Sequence, residues 1–156
     1  MSASVDWLFR GQQPRRAQGS VRYTMSGQIR NTVTGAAAAE AIWRLQVADR
    51  LFDLLQLPEN WDSYGARVPS RTSADDMLAV LGSIMQAKSP TPSVVPSAQG
   101  HFQAEWHRNG IDLEVEVIAP TKIMVTYADA DEEWEKELDF DFTLLVNAVK
   151  RLGLVG

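Results

Sequence analysis

The sequence predicts an α+β domain: two N-terminal helices, a four-stranded antiparallel meander, and a C-terminal helix packed on one sheet face. Three observations carry that expectation. Apolar residues recur at three- and four-residue spacing over 36–57 and again over 73–85. Strict alternation runs through 101–118 on either side of Asn109-Gly110, the dipeptide best suited to a two-residue type I′ hairpin turn. A last helical stripe, Phe142, Leu145, Val149 and Leu152, follows Asp141. An antiparallel sheet covered on one face alone buries all of these stripes together.

Residues 1–34 are rich in Gly, Gln, Ser, Thr and Arg and read as an arm, with the rest, 35–156, as one domain. The arm holds Arg10, Arg15, Arg16, Arg22 and Arg30 against Asp6, and a short alternating piece at Val21, Tyr23 and Met25. Trp7, beside Leu8 and Phe9, is an aromatic anchor that can dock on a partner, on a second copy, or back on its own domain.

The first helix is expected over 36–57, with Thr34 as its N-cap and Pro58 ending it. Its buried stripe reads Ala38, Ala41, Ile42, Leu45, Ala48, Phe52 and Leu55. The second helix is expected to start at Ser73 as N-cap, with Asp76 reciprocating from N3 and Met77, Val80, Leu81, Ile84 and Met85 buried. Pro90, Pro92, Pro96 and Gly100 then make a rigid connector with room for a short edge strand at Val94 and Val95.

In the hairpin, pairing Arg108 with Ile111 sets Trp106 opposite Leu113, Ala104 opposite Val115 and Phe102 opposite Val117. That gives one continuous apolar face. Ile123, Val125 and Tyr127 extend it on a third strand, and Trp134, Lys136 and Leu138 alternate on a fourth. Asp141 caps the last helix and Gly153 stops it.

Composition narrows the chemistry. At 156 residues and 45% hydrophobic, with five tryptophans, the chain can bury one real core and is too short for two ordinary domains. It has no cysteine, so disulfides, thiolate nucleophiles and zinc–cysteine or iron–sulfur ligation are excluded. Two histidines leave little for an imidazole-rich metal site. No phosphate-binding glycine loop with lysine, no HExxH and no nucleophile elbow is present. The apolar runs are too short to span a membrane, and the first residues do not read as a secretory signal, so the expectation is a cytoplasmic protein. Nucleic-acid binding would rest on the arm's arginines alone, a poor footprint beside an acidic body.

Two segments stand out. Over 129–141, Asp129, Asp131, Glu132, Glu133, Glu135, Glu137, Asp139 and Asp141 face only Lys136 in charge, with Trp134 among them. Such a run is a solvated turn and strand face, or a surface that attracts a basic protein. Between the first two helices, "LPENWDSYGARVPS" is longer than a plain helical connection needs. Trp61 and Tyr64 offer apolar bodies with polar handles, Asp62 can accept backbone amides, and Gly65 can take a positive φ. It is either a folded corner or an aromatic recognition loop.

Asn60, Trp61, Asp62, Tyr64, Gly65 and Ala66, together with Glu105 and Trp106, resemble a set of small uncharacterised bacterial proteins found on mobile or variable genomic segments. These carry an N-W-D-(G/S)-Y-G-A motif and a later L-E-W-like strand motif. The likeness spans Leu45 to Tyr127, and here Ala104 stands where the pattern usually has leucine. It implies a shared fold and carries over no catalytic residue.

The polar side of the hairpin offers one further chemistry. The register puts Glu105 across from Glu114 and His107 across from Asp112, with Glu116 nearby. Like charges directly opposite are destabilising, so solvent, a cation, a metal or a shared proton must offset the first pair. Glu105, His107, Asp112 and Glu114 could hold a divalent cation for a small metal-assisted hydrolase or nuclease. The leading expectation is different: a non-enzymatic protein-binding module of inhibitor, immunity, antitoxin or adaptor type, without a cofactor. Its surface would comprise Trp61, Asp62, Tyr64, Trp134, Glu132, Glu133, Glu135, Glu137 and Trp7, and its partner a basic protein or a second copy.

Overall fold

The computed structural model describes residues 35–154. The arm with Trp7 and the 21–25 strand, and the Thr34 cap, lie outside the described residues. In chain order the elements are α1 (Gly35–Leu54), α2 (Arg71–Ile84), β1 (Ser93–Pro96), β2 (Phe102–Arg108), β3 (Ile111–Ala119), β4 (Lys122–Ala128), β5 (Glu133–Asp139) and α3 (Thr143–Leu154). The α+β class and the placement of helices before and after the sheet are as expected. The sheet has five strands rather than four, in the order β1-β2-β3-β4-β5, every neighbouring pair antiparallel. The extra strand is the Val94-Val95 segment. Val94 pairs with Ala104 and is buried, and a proline at its end is tolerable because β1 is an edge strand. Among the described residues no helix is long and apolar enough to cross a membrane.

The hairpin register is the expected one, from Arg108↔Ile111 through Trp106↔Leu113 to Phe102↔Val117. Asn109 and Gly110 both take positive φ, 55° and 74°, which a type I′ turn demands of its two central residues. Phe102, Trp106, Leu113, Val115, Val117, Ile123, Val125 and Tyr127 form the buried face. Met77, Leu81 and Ile84 of α2 and Leu145, Val149 and Leu152 of α3 belong to the same core. Trp106 also donates its indole N–H to the Pro90 carbonyl at 2.7 Å, tying β2 to the chain just before β1.

Each of the three helices corrects an expectation. In α1 the buried residues are Trp43, Val47, Ala48, Leu51 and Leu54; of the expected stripe Ala48 is buried, while Ile42 and Leu45 are 57% and 53% exposed. The helix is turned by about one residue from the expected stripe, which puts its largest apolar group, Trp43, inside. It also ends at Leu54, short of Pro58. In α2 the N-cap is Ser70, whose Oγ accepts from the Ser73 amide at 3.0 Å. Ser73 is the buried N3 residue, its hydroxyl donating to the Gly100 carbonyl at 3.2 Å. In α3 Gly153 is not a stop but part of the helix. A Cβ there would come within 3.1 Å of the Lys88 carbonyl oxygen, so glycine permits a close approach. At its start Asp141 Oδ1 accepts from the Thr143 amide at 2.9 Å, as a capping group does.

The two long connections are tied to each other. The Arg67 amide donates to the Ala98 carbonyl at 3.0 Å, and Gly100, at φ +88°, leaves 3.3 Å between a would-be Cβ and the Val68 carbonyl. With the Ser73–Gly100 bond, these contacts join the chain after the first helix to the turn before β2.

Candidate functional site

Register decides which carboxylates share a face. On β2 and β3 the outward set contains Glu105, Asp112, Glu114 and Glu116, alternating with buried residues. Across β4, Glu114 pairs with Thr126 and Glu116 with Met124, and these pair in turn with Glu135 and Glu137 of β5. Asp112 leads through Ala128 to Glu133, and Lys122 pairs with Asp139. The hairpin acids and the acidic run therefore merge into one continuous outer face. Among the described strand residues that point outward, Lys122 is the only lysine or arginine, and its Nζ sits 2.9 Å from Glu137.

The face is organised by short-range pairs. Glu105 and Glu114 do stand opposite each other, and a neutral amide reconciles them: Gln103 Nε2 donates to Glu105 Oε1 and to Glu114 Oε2, each at 3.0 Å. His107 Nδ1 lies 2.8 Å from Asp112 and its Nε2 3.6 Å from Glu105. The bond to Asp112, reinforced by Glu105, raises the imidazole above its ordinary pKa. His101 Nδ1 meets Glu116 at 3.3 Å. Among the described residues no group of three or more His, Asp or Glu is placed to hold a metal ion.

Beyond Ala128 the chain turns through a carboxylate-centred network. Asp129 Oδ1 accepts from the amides of Asp131 and Glu132 at 2.9 and 3.0 Å, while Oδ2 accepts from the Tyr127 hydroxyl at 2.5 Å. These donors, Tyr127 foremost, lower the Asp129 pKa, and burial raises that of Tyr127. Arg151 of α3 donates to the Tyr127 oxygen and to Glu132, both at 2.9 Å. Glu132 and Glu137 are each paired with a cation, Arg151 and Lys122, while remaining exposed; Glu133 and Glu135 are exposed beside them on β5. Trp134, half-buried, stacks on Tyr127 with ring centres 5.1 Å apart and planes 13° from parallel. Lys136 Nζ lies 5.6 Å from the Trp134 ring centre. On this inner side Tyr127, Trp134 and Lys136 line a shallow groove of about 320 Å³ with Leu144, Asn147 and Arg151.

Phe140, at the end of β5, escaped the sequence reading. It is 82% exposed and holds φ +61°. Its amide is fixed to the Thr121 carbonyl at 2.8 Å. A bulky residue rarely adopts that backbone region, and an exposed one gains no packing by doing so. The signal is invisible in sequence because the positive φ comes from how the chain leaves β5.

The aromatic corner divides into scaffold and projection. Asp62 Oδ1 accepts from the Tyr64 and Ala66 amides at 2.8 and 3.0 Å, and those bonds, Ala66 first, lower its pKa. Asn60 Oδ1 accepts from the Gly65 amide at 2.6 Å and its own amide donates to Ala66 O at 3.0 Å. Trp61 Nε1 donates to the Arg67 carbonyl at 3.2 Å. Asn60, Ser63 and Gly65 all take positive φ, which closes the loop tightly. Trp61 and Asp62 thus build the corner, and Tyr64, 93% exposed, is the side chain it presents. In comparisons with family models, with curated proteins and with solved structures, nothing matches the chain.

Proposed function

We propose that this chain is a non-enzymatic protein-binding module, of the inhibitor, immunity, antitoxin or adaptor type, whose acidic sheet face meets a basic protein surface. The observation that carries this reading is the register that merges Glu105, Asp112, Glu114 and Glu116 with Glu133, Glu135, Glu137 and Asp139, with Lys122 the only lysine or arginine among the described strand residues of that face. A single-sign face raises encounter rates with an oppositely charged partner. Phe140, exposed where the chain leaves β5, supplies an apolar anchor that charge alone lacks. The reading takes the protein to be cytoplasmic, and bacterial on the resemblance of Asn60–Ala66 and Glu105-Trp106 to small bacterial proteins of mobile genomic segments.

The test starts from the full chain as bait, with intact-mass analysis of the recovered complex and surface-plasmon kinetics against the purified partner. Glu133→Gln, Glu135→Gln and Glu137→Gln together should slow association several-fold at low salt and change dissociation little, because screening lengths fall from about 10 Å at 0.1 M to about 3 Å at 1 M. Phe140→Ala should instead speed dissociation. A neutralised variant that associates as fast as the parent at low salt would refute steering by this face.

A further inference from the structure

The two edges of the sheet are finished differently. β1 is four residues long, ends in Pro96, and has its Val94 carbonyl occupied by Arg50 Nε of α1 at 3.1 Å. β5 is seven residues long, without proline or glycine, pairs with β4 without a register shift, and has no second strand neighbour among the described residues. A long regular edge of this kind is a template for another strand, because alternate amides and carbonyls face outward without a ladder partner.

The side chains of β5 select what that strand can be. Outward stand Glu133, Glu135, Glu137 and Asp139; inward stand Trp134 and Leu138 around Lys136, beside the groove shared with α3. A second copy fits badly. Antiparallel self-pairing centred on Lys136 sets Glu133 against Asp139, Glu135 against Glu137, and Lys136 against itself. Every antiparallel register that keeps the outer faces aligned likewise puts carboxylate opposite carboxylate, which is destabilising. A strand with lysine or arginine at alternate positions reverses each of those terms.

We infer that β5 is a docking edge for an extended basic segment of another protein, which adds as a sixth strand. Its alternating cations face Glu133, Glu135 and Glu137, and its intervening apolar side chains lie over Trp134 and Leu138 toward the groove beside α3. Phe140 then stands at the end of the added strand. The inference rests on the protein-binding reading above and adds the mode of contact and the partner's sequence pattern.

The probe is a short synthetic peptide in which lysine alternates with valine, titrated into the full chain. Two isomers carry N-methyl groups on alternate residues, one set on each edge, and so keep charge and side chains while removing one row of donors. The unmethylated peptide should bind, one isomer should lose about tenfold or more in affinity, and the other should retain it. Amide exchange should slow along β5, and the Glu133→Gln, Glu135→Gln, Glu137→Gln variant should bind more weakly. Equal binding of both isomers would overturn strand addition while leaving electrostatic capture by the acidic face intact. Equal binding to the charge-neutralised variant would instead defeat the acidic-face reading. Failure of every peptide to bind, or a dimer of the free protein that already protects β5 from exchange, overturns the inference, the latter assigning the edge to a second copy.

Discussion

Trp106→Ala is the sharpest test of how the sheet is held. The indole is 3% exposed, pairs with Leu113 across the hairpin, and donates to Pro90 O at 2.7 Å. Burying an aromatic of this size removes about 150–250 Å² from water, worth roughly 4–6 kcal/mol as an upper bound at ~25 cal/mol per Å². Alanine keeps part of that area, and large-to-small aromatic truncations cost about 3–5 kcal/mol including the cavity. The lost hydrogen bond adds little, because the half-buried Pro90 can take a water in exchange. The expected loss of ~3–5 kcal/mol is a large share of the ~5–15 kcal/mol typical of a domain. Trp106→Phe separates the two contributions: it keeps most of the area, loses the donor, and should cost about 1–2 kcal/mol, most of it from the smaller ring. Urea unfolding with an unchanged slope is the assay. In native-state hydrogen exchange the loosening should appear first in β1, which Pro90 precedes, and leave β5 protected as before. An alanine variant that loses less than about 1 kcal/mol, or a phenylalanine variant as damaged as the alanine one, would refute this account of the core.

Phe140→Gly should raise stability by about 0.5–1 kcal/mol, since relief of the left-handed backbone, at about 1–2 kcal/mol, exceeds the entropy glycine adds to the unfolded chain. The same variant should bind the partner less well, so opposite movements in chemical denaturation and in binding are the expected signature. The Asp112 bond that raises the His107 pKa contributes stability that is fully present below the unfolded imidazole value of about 6.5 and is lost as pH rises through the folded value. Asp112→Asn should therefore lower the His107 midpoint in an NMR titration and flatten the pH dependence of stability in that window; an unmoved midpoint would show that the bond does not govern the titration.

The hairpin was legible because Asn109-Gly110 fixes the turn and the alternation then leaves one register that buries Phe102, Trp106, Leu113 and Val115 together. The face of α1 was not. Ile42, Leu45, Phe52 and Leu55 make as good a stripe as Trp43, Val47, Leu51 and Leu54, and the two differ by one residue of rotation. Only the sheet and α2 choose between them. The cap of α2 failed for a similar reason: Ser70 and Ser73 are both competent, and burial of Ser73 against the Gly100 carbonyl decides. In sequence the acids of the candidate surface fall into two groups, 105–116 and 129–141. Joining them needs the pairings of β3 with β4 and of β4 with β5, which no local pattern encodes. The alternation places Gln103 on the polar face, but its role between Glu105 and Glu114 has no sequence signal, since a neutral amide announces no charge to balance.

The contacts between the two long connections make them a single mechanical part. Arg67 bonded to Ala98, Ser73 bonded to Gly100, and Gly100 pressed against Val68 mean that each connection braces the other. A protease cut between Pro96 and Gly100 would leave the β2–β3 hairpin paired yet remove the strut beneath the 60–66 corner. The damage would surface as lost rigidity at Tyr64, more than thirty residues upstream of the cut, while the acidic edge at the other end of the sheet stayed in place.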